Sequence, residues 1–539
     1  MSATMENRPK AAVKPFPKLK AYEKLAALAK NPFDLTKEGN LTPERLKKFT
    51  ADACGYKLLY GTERIDENTM LALKELTEET HAIDQMEAMQ NGEIVNFIEG
   101  FASENRPALH TALRDQFDKP NTAKAAKEAA ATAKVELDKL KAFMDVLDKK
   151  DFSDLVVIGI GGSELGPKAH YEALMPYLKK GRKVYFVGNI DPDGLNSVLS
   201  QVDLKKCLGL IISKTGTTLE TLVNEELLSE QFKKAGLKPQ EHLITVTSKG
   251  SPLDDKKKYL EVFNLWDWVG GRYSTTSMVG GVLLAFAYGF ETFMELLKGA
   301  NAMDKVALNR DFNKNLPLLG AVLGIWNRNF LHYPLVAIIP YSYALARFPS
   351  HLQQLDMESN GKHIDKQGAF VNFETGPFIF GEPGTNAQHS FYQLLHQGTN
   401  ICPLEMICYK LPQRKNDKSI DNTTSQEKLL SNLFAQSIAL AMGQKSENPN
   451  KDFQGNRPNL ILLGKQLTPF SLGALLAYYE HKVAFQGFIW HINSFDQEGV
   501  QLGKVLATKI IQRFAAKNSG KTGTAYPLGD AYIKFLDDL

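Results

Sequence analysis

Hydrophobic and polar positions follow a helical period in the first part of this chain. Segment 122–150 is rich in Ala, Lys and Glu, and its apolar residues recur at steps of three and four: Ala133, Leu137, Leu140, Met144 and Leu147. Such spacing puts them on one stripe, which predicts a long helix with one buried face. We interpret residues 1 to about 150 as helical throughout.

From about residue 151 the pattern changes to short apolar runs that alternate with helix-like segments. A first series has apolar runs at 155–160, 183–189, 208–215, 243–248 and 261–266. A second series has them at 333–341, 378–382, 401–409, 459–464 and 487–492. This alternation predicts two mostly parallel sheets with helices on both faces. The polar segment 412–426 is predicted to be an exposed loop, and 517–526 a connector to a last short helix.

These patterns divide the chain of 539 residues into three parts, in line with what its length alone favours. We predict a helical N-terminal segment at 1–125, packed on the larger domain. A smaller αβα sandwich follows at 126–295. A larger αβα sandwich with a C-terminal helical tail occupies 296–539. The predicted fold class is therefore α/β, with two αβα-sandwich domains and helical additions at both ends.

Composition and charge change this picture little. The chain has 64 basic and 61 acidic residues, a net charge of +3, so overall charge does not favour nucleic-acid or membrane partners. The sequence has no run of about 18 or more apolar residues, so we expect no transmembrane helix. The N-terminal 24 residues lack the apolar stretch of a signal peptide. Four scattered cysteines indicate neither a disulfide framework nor a zinc motif, so we expect a cytoplasmic protein.

The first chemical candidate is a glycine turn after the first predicted strand, 155–160. It contains Gly159, Gly161 and Gly162, then Ser163, and Pro167 suits the first turn of a helix. A dinucleotide-binding turn has a similar pattern, and Asp191 after a later strand could imitate its ribose-binding acid. However, Glu164 occupies the place of the small last residue and would repel a pyrophosphate. A plain strand-to-helix turn and an anion site both remain open here.

A second loop after a strand, 211–221, carries a more specific pattern. Five polar side chains surround Gly216 there: Ser213, Lys214, Thr215, Thr217 and Thr218. We expect Thr218 to be the N-cap of the following helix. Backbone N–H groups, the positive end of a helix and several hydroxyls together suit a phosphate group. The order of residues is not that of a Walker loop, so the alternatives are a small phosphorylated ligand and an ordinary Ser/Thr-rich cap.

Candidates for acid–base chemistry are scattered through the second half. Glu358 falls in the last turn of a helix that Asn360 and Gly361 are predicted to end, where a carboxylate has the environment of a general base. His389 falls in the first turn of a predicted helix over 384–398 that starts at Thr385 and Asn386. Each residue, taken alone, is more typical of a solvated charge or a structural hydrogen bond.

Two basic candidates complete the set. Gln497 and Lys504 are seven residues apart and are predicted to share one face of a helix capped by Asp496. Arg272 follows two glycines, Gly270 and Gly271, in a loop that permits close approach.

Six blocks together resemble one family closely, the phosphoglucose isomerases (glucose-6-phosphate isomerases), which are built from two sugar-isomerase (SIS) domains. The blocks are "GIGGSELGP", "SKTGTTLET", "GGRYS", "MESNGK", "GTNAQHSFYQLLHQG" and "DQEGVQLGK", in the family's order across roughly 155–510. The resemblance implies interconversion of glucose 6-phosphate and fructose 6-phosphate in glycolysis and gluconeogenesis. It implies no metal ion, nucleotide or other cofactor.

The resemblance also implies a role for each matched residue. Glu358 resembles the base that moves a proton between C1 and C2, and Arg272 the cation that stabilises the enediolate. His389 and Lys504 resemble the ring-opening pair, with Glu220 orienting His389. The remaining matches are substrate contacts: Ser163, Ser213, Lys214, Thr215, Thr218, Gly271, Gln354 and Gln497.

In the family the enzyme is a homodimer and the histidine comes from the partner subunit, so we expect the same here, with a sugar phosphate as ligand and neither nucleic acid nor membrane as partner. Three residues depart from the family's usual pattern: Gly216 (often Phe), Ala387 (often Gly) and Glu498 (often Trp). A sugar-phosphate sensor on the same fold, a dinucleotide-dependent enzyme and an isomerase of a related sugar such as mannose 6-phosphate remain the alternatives.

Overall fold

The computed structural model describes residues 14–537 and residue 539. Residues 1–13, which include much of the stretch where we predicted no signal peptide, lie outside the described residues. The chain divides into two compact units, the second of which is residues 495–539. Among the described helices none is both long and apolar enough to cross a bilayer.

The N-terminal region is helical, but it also contains short strands. Its elements are α1 (Lys20–Leu28), α2 (Pro43–Lys48), β1 (Thr50–Ala53), β2 (Tyr56–Leu59), α3 (Glu67–Glu79), α4 (Ala82–Asn91), β3 (Ile94–Asn96), β4 (Arg106–Pro107) and α5 (Lys124–Leu147). The helix predicted over 122–150 is confirmed as α5, and its five predicted stripe residues are buried.

The interpretation of residues 1–150 as entirely helical is wrong at the hairpin β1–β2. Cys54 and Gly55 form its turn and both have positive φ, 50° and 79°, which matches the twist of a two-residue hairpin. Strand β2 then pairs antiparallel with a strand from the far end of the chain, Leu59 opposite Ile461. This distant pairing stabilises the hairpin and has no signal in the local sequence.

The first sheet is built from five parallel strands, as predicted. Its elements are β5 (Asp154–Ile158), α6 (Leu165–Ala173), β6 (Lys183–Val187), α7 (Pro192–Leu199), β7 (Cys207–Ile212), α8 (Leu219–Lys234), β8 (Leu243–Thr247) and β9 (Glu261–Asn264). The strand order is β6-β5-β7-β8-β9. β5, β7 and β8 are fully buried, which explains their unbroken apolar runs.

Three helices connect the two sheets: α9 (Met278–Tyr288), α10 (Phe290–Ala307) and α11 (Leu316–Ile325), of which α9 and α11 are apolar. Every residue of α9 is buried. A five-residue π-helical segment, Trp326–Phe330, continues α11.

The second sheet combines parallel strands with the N-terminal hairpin. Its region contains β10 (Leu335–Tyr341), α12 (Phe348–Leu352), a π-helical segment (Gln353–Glu358), β11 (Phe378–Phe380), α13 (Gly384–Gln388), α14 (Tyr392–Gln397), β12 (Leu404–Leu411), β13 (Ser419–Ile420), β14 (Thr423–Thr424), α15 (Ser425–Met442), β15 (Asn459–Gln466) and α16 (Pro469–Trp490). The order is β1-β2-β15-β12-β10-β11, and β15, β12, β10 and β11 are mutually parallel. The α/β fold class with mostly parallel sheets is confirmed.

The last predicted strand of the second series, 487–492, is wrong. Residues 487–490 are instead the end of α16, which is buried on nearly all sides. Its contact with α10 is close because glycines face backbone: an ideal Cβ at Gly473 would lie 1.9 Å from the carbonyl oxygen of Leu296. A helix buried all round shows an unbroken apolar run, which short segments cannot distinguish from a buried strand.

Two exposed segments complete the comparison. Segment 412–426 contains a small hairpin, β13–β14, within the predicted loop. In the second unit, α17 (Gln501–Asn518) and α18 (Pro527–Asp537) pack on each other, and the predicted connector precedes the last helix. Within this unit Arg513 Nε donates to Asp530 Oδ1 at 2.5 Å. The predicted boundaries of the three parts at 125/126 and 295/296 stay a prediction.

Candidate active site

The candidate site in the first unit lies at the carboxyl edge of the first sheet, where ligands of parallel sheets bind. Three loops leave that edge: a turn at 161–163 after β5, a turn at 213–218 after β7, and a turn at 271–273 after β9. The π-helical segment Gln353–Glu358 approaches the same place from the second sheet.

The glycine turn after β5 packs against the backbone of the turn at 271–273. An ideal Cβ at Gly162 would lie 2.2 Å from the carbonyl carbon and oxygen of Gly271, so only glycine permits this approach. Gly161 has φ of 62°, which produces the tight turn. The backbone of Gly271 and Arg272 thus packs directly against the glycine turn.

The two acids considered in the dinucleotide interpretation, Glu164 against it and Asp191 in its favour, both have contacts within the chain. The Glu164 carboxyl lies against Gly188 and is 3.6 Å from the Lys168 ammonium. Asp191 caps α7, accepting the N–H of Asp193 at 3.0 Å. Because Asp191 is used as a helix cap, it does not support the dinucleotide interpretation.

The loop after β7 has the hydroxyl cluster that its sequence predicted. Thr218 is the N-cap residue of α8, as predicted, but its side chain makes no hydrogen bond to the helix within the described residues. Instead its Oγ1 lies 2.8 Å from Ser213 Oγ, which also accepts the N–H of Gly216 at 3.1 Å. The first N–H groups of this 16-residue helix are therefore left uncapped by Thr218, an arrangement suited to an anion.

Gly216 and Thr215 shape the tip of this loop. Gly216 has φ of 67°, and its ideal Cβ would lie 2.9 Å from Ser251 Oγ, so a larger residue would be strained in this conformation. The departure from the family's usual Phe therefore accompanies a left-handed turn. Thr215 is exposed, and its Oγ1 accepts a hydrogen bond from Thr217 Oγ1 at 2.9 Å.

Lys214 connects this loop to the one that carries Arg272. Its Nζ donates to the carbonyl oxygens of Asp267 at 3.1 Å and Val269 at 3.0 Å. Burial, together with the nearby Arg106 guanidinium, lowers the pKa of Lys214 to about 8. The ammonium thus fixes the start of the 267–272 segment.

Arg272 and Glu358 form the charged centre of the site. Arg272 is buried, 2% exposed, and its Nη1 lies 3.6 Å from Glu358 Oε2. The Glu358 side chain keeps 21% of its surface exposed and so remains accessible. Gly271 is exposed and its ideal Cβ position has no described atom within 4 Å.

The backbone around Glu358 is π-helical, which the sequence did not predict. Glu358 ends the π-helical segment, and the helix stops at Asn360, as predicted. π-helical turns often occur at functional sites because they redirect side chains. Gln354, in the same segment, lies near Gly161, and its Oε1 is buried with no hydrogen-bond partner in the described residues. Such an acceptor is suited to a ligand hydroxyl.

His389 lies differently from the prediction. The single helix predicted over 384–398 is two short helices, α13 and α14, and His389 is the C-cap residue of α13 rather than part of a first turn. Pro383, not Thr385 or Asn386, is the N-cap. The break lets Ala387 and Tyr392 both point into the core, where Tyr392 packs by Tyr341.

His389 and Glu220, which were predicted to interact, are not hydrogen-bonded to each other within one chain. His389 is exposed, Glu220 is half-buried in the first turn of α8, and no hydrogen bond joins them in the described part of the chain. Ala387, the second departure, is fully buried and fits the core.

Gln497 and Lys504 belong to the second unit and do not share a helix. Gln497 precedes a 3₁₀ turn, Glu498–Val500, and α17 begins at Gln501 with Val500, not Asp496, as its N-cap. The 3₁₀ turn changes the direction of the chain before the helix, so the seven-residue spacing does not apply. Glu498, the third departure, is exposed in that turn, and Lys504 is exposed on α17.

Sequence reasoning missed the groups that hold Arg272 in place. Ser359 Oγ accepts the Nε–H of Arg272 at 2.6 Å, and the carbonyl oxygen of Ser494 accepts Nη2–H at 2.6 Å. Tyr273 Oη lies 3.1 Å from Ser359 Oγ. Ser359 and Tyr273 were adjacent to predicted site residues within the recognised blocks, and that adjacency was the available signal.

The fold and this site define an α/β protein with two mostly parallel sheets, in which a helix N-terminus suited to phosphate and the arginine of an arginine–carboxylate pair follow strands of the first sheet at the same edge. The profile of the family described as "Phosphoglucose isomerase" matches residues 59–525. The chain belongs to the phosphoglucose isomerase family.

Individual relatives of the chain support the same family. The chain is 59% identical to the glucose-6-phosphate isomerase of Protochlamydia amoebophila strain UWE25, over 96% of each chain, and 53% identical to that of Chlamydia caviae, over 90% of this chain and 92% of the relative. The crystal structure of a glucose-6-phosphate isomerase from Chlamydia trachomatis superposes with a TM-score of 0.94 at 49% identity, covering 97% of this chain and 99% of that one. The resemblance stated from the six blocks is confirmed.

Proposed function

We propose that this chain interconverts glucose 6-phosphate and fructose 6-phosphate, as an aldose–ketose isomerase of glycolysis and gluconeogenesis. Membership of the phosphoglucose isomerase family supports this reaction. The observation that carries the mechanism is the Arg272–Glu358 pair, 3.6 Å apart, beside the glycine turn and at the same sheet edge as the N-terminus of α8.

The chemistry needs a base and a cation beside the reacting carbons. Glu358 takes the proton from C2 of the open-chain aldose and returns it to C1. In the reverse reaction it takes the proton from C1 and returns it to C2. The oxygen that becomes negative in the enediolate is stabilised by Arg272, whose positive charge is already held in place. The phosphate binds at the loop 213–218, where its binding energy fixes C1 and C2 at Glu358. Ser163, Gly271, Gln354 and Gln497 contact the sugar.

Ring opening is assigned to His389 and Lys504. It requires a proton to leave the anomeric hydroxyl and another to reach the ring oxygen, which an imidazole and an ammonium can mediate. We propose that Glu220 orients His389 from another subunit of a homodimer. The exposure of His389 and its lack of contact with Glu220 in one chain support this arrangement. We also propose that the protein works in the cytoplasm, because all four cysteines are free thiols.

Mixed dimers test whether His389 acts across a subunit interface. Glu358→Gln and His389→Ala variants should each be inactive alone. Co-expressed, they should form heterodimers in which one of the two sites has both native residues. An equal mixture should therefore recover about a quarter of wild-type activity, because half of symmetric dimers are mixed and half their sites are intact.

The control for this measurement is co-expression of either variant with itself. Activity that stays at background in the mixture, while mixed dimers are isolated by two affinity tags, would place His389 in the same chain as Glu358. That result would refute the shared site.

The reaction itself is tested by proton NMR of fructose 6-phosphate in heavy water with chelator-dialysed protein. Glucose 6-phosphate carrying deuterium at C2 is the expected product, because an enediolate route exposes the transferred proton to solvent. Tight sugar-phosphate binding without product would instead support the sensor. Binding of NAD(P) would support a dinucleotide enzyme.

A further inference from the structure

The hydroxyl of Ser359 lies between two side chains of the loop that carries Arg272. Ser359 is fully buried, and its Oγ accepts the Nε–H of Arg272 at 2.6 Å. The same oxygen is 3.1 Å from Tyr273 Oη, so the two hydroxyls share a hydrogen bond. A serine directly after Glu358 thus contacts the cation that faces Glu358.

Two hydrogen bonds constrain the direction of the Arg272 guanidinium. Nε is held by Ser359, Nη2 donates to the Ser494 carbonyl oxygen at 2.6 Å, and Nη1 lies 3.6 Å from Glu358 Oε2. Because the guanidinium is planar and its five N–H directions are fixed relative to one another, holding two nitrogens fixes the third. Together with the Ser494 carbonyl, the Ser359 hydroxyl therefore constrains the direction of Nη1.

Tyr273 keeps the Ser359 hydroxyl in place. Its ring stacks on His110, with centroids 4.6 Å apart and planes at 27°, and the residue is 1% exposed. Burial raises the pKa of Tyr273 to about 12, so its oxygen keeps its proton at neutral pH. The pair is thus a rigid, uncharged support beside the Arg272 cation.

We propose that Ser359, supported by Tyr273, is a positioning residue that aims the Arg272 guanidinium at the oxygen that becomes negative during isomerisation. This inference rests on the proposed function of the chain. A cation stabilises the enediolate better than the substrate only when it is held where the charge develops. Loss of the hydroxyl removes one of the hydrogen bonds that set the direction of the guanidinium, while the phosphate and sugar contacts stay in place.

The test compares Ser359→Ala with Ser437→Ala. Ser437 is also a buried helical serine, and its Oγ donates to Asn459 Oδ1 at 2.5 Å, away from the site. Ser359→Ala should lower kcat about tenfold or more and leave KM within about twofold, because the lost hydrogen bond acts on the transition state. Ser437→Ala should leave both constants within about twofold of wild type.

A binding measurement separates this inference from the proposed reaction. A hydroxamate that imitates the enediolate should bind Ser359→Ala about tenfold more weakly, because it places negative charge at Arg272. Sorbitol 6-phosphate, which places none there, should bind both proteins equally. If wild type fails to isomerise, the proposed function fails, but this difference in binding still reports on Ser359.

Two results would overturn the positioning role. One is a Ser359→Ala protein whose kcat and hydroxamate affinity equal those of wild type. The other is a loss that affects both inhibitors and KM equally, which indicates general damage. If Ser359→Ala does not fold, Tyr273→Phe decides by the same assays, with an expected fall in kcat of about threefold and unchanged KM.

Discussion

Replacement of Glu358 by glutamine is expected to reduce kcat about 10²- to 10⁴-fold, the usual contribution of a positioned general base. Glutamine has nearly the same shape and can still lie near Arg272, but its amide cannot take the proton from carbon. Because the phosphate and sugar contacts are unchanged, KM should stay within about threefold of wild type. The measurement is the steady-state rate of fructose 6-phosphate formation, with binding of sorbitol 6-phosphate as the check that the site is intact.

The chain offers a matched control for this variant. Glu164 has a side-chain exposure of 20%, against 21% for Glu358, and its carboxylate is also 3.6 Å from a cation, Lys168. Its carboxyl lies against Gly188 rather than beside Arg272. Glu164→Gln should therefore keep kcat within about twofold of wild type. Near-normal turnover in Glu358→Gln would remove Glu358 from the role of base.

The parts of the fold that the sequence predicted are those with strong local patterns. Strands of the first sheet lie within a few residues of their predicted ends because each is a short apolar run bounded by polar turn residues. The loop at 213–218 was predicted because hydroxyls follow a strand there, and the glycine turn at 161–163 because glycines follow a strand and precede a helix. The structure identifies what approaches Gly162, namely the backbone of Gly271.

The parts that failed depend on contacts distant in sequence. β2 is a strand because β15, some 400 residues away, pairs with it, and β1 in turn pairs with β2. Residues 487–490 are helical because α16 is surrounded by other elements, which removes the amphipathic signal. His389 leaves its helix because core packing of Ala387 and Tyr392 breaks the turn between them.

In the candidate site, too, the contacts between residues distant in sequence could not be predicted. Motif blocks predicted Arg272 and Glu358, but their 3.6 Å contact depends on a π-helical segment that no residue pattern indicated. Ser359 was missed because a serine in a helix has no distinctive signal, and its importance comes from its contact with Arg272. Distances between elements on different sheets are set by packing, which local propensity does not determine.

The second prediction with a large expected effect concerns a cluster of buried charged side chains. Arg114 donates to both oxygens of Asp304, at 2.8 and 2.7 Å, and to Glu480 Oε2 at 2.6 Å, and all three side chains are at most 3% exposed. His481 Nε2 lies 2.6 Å from Asp304 Oδ1. Burial alone would raise the pKa of Asp304, but the attraction and hydrogen bonds of Arg114 and His481 lower it to about 2.

Arg114→Met is therefore expected to lower the free energy of unfolding by about 3–5 kcal/mol at neutral pH, because it leaves Asp304 and Glu480 buried without their cation. Arg310→Met is the matched control: Arg310 also pairs with an aspartate and a glutamate, Asp84 and Glu87, but its side chain is 61% exposed. An exposed pair of this kind contributes about 1 kcal/mol or less, so this variant should unfold close to wild type. Urea unfolding followed by tryptophan fluorescence measures both, since Trp326 and Trp490 are buried.

The pH dependence of this deficit tests its cause. In wild type the low pKa of Asp304 contributes stability that is present above its unfolded value of 3.8 and is lost as pH falls toward about 2. Without Arg114, burial raises the pKa of this carboxyl, as it already raises that of Glu480 to about 7. A buried carboxyl with a raised pKa destabilises the folded protein increasingly as pH rises above the pKa that the group has in the unfolded chain. The stability deficit of Arg114→Met should therefore be smaller at pH 5 than at pH 8. A deficit that does not change with pH would mean that lost packing, rather than uncompensated charge, destabilises the variant.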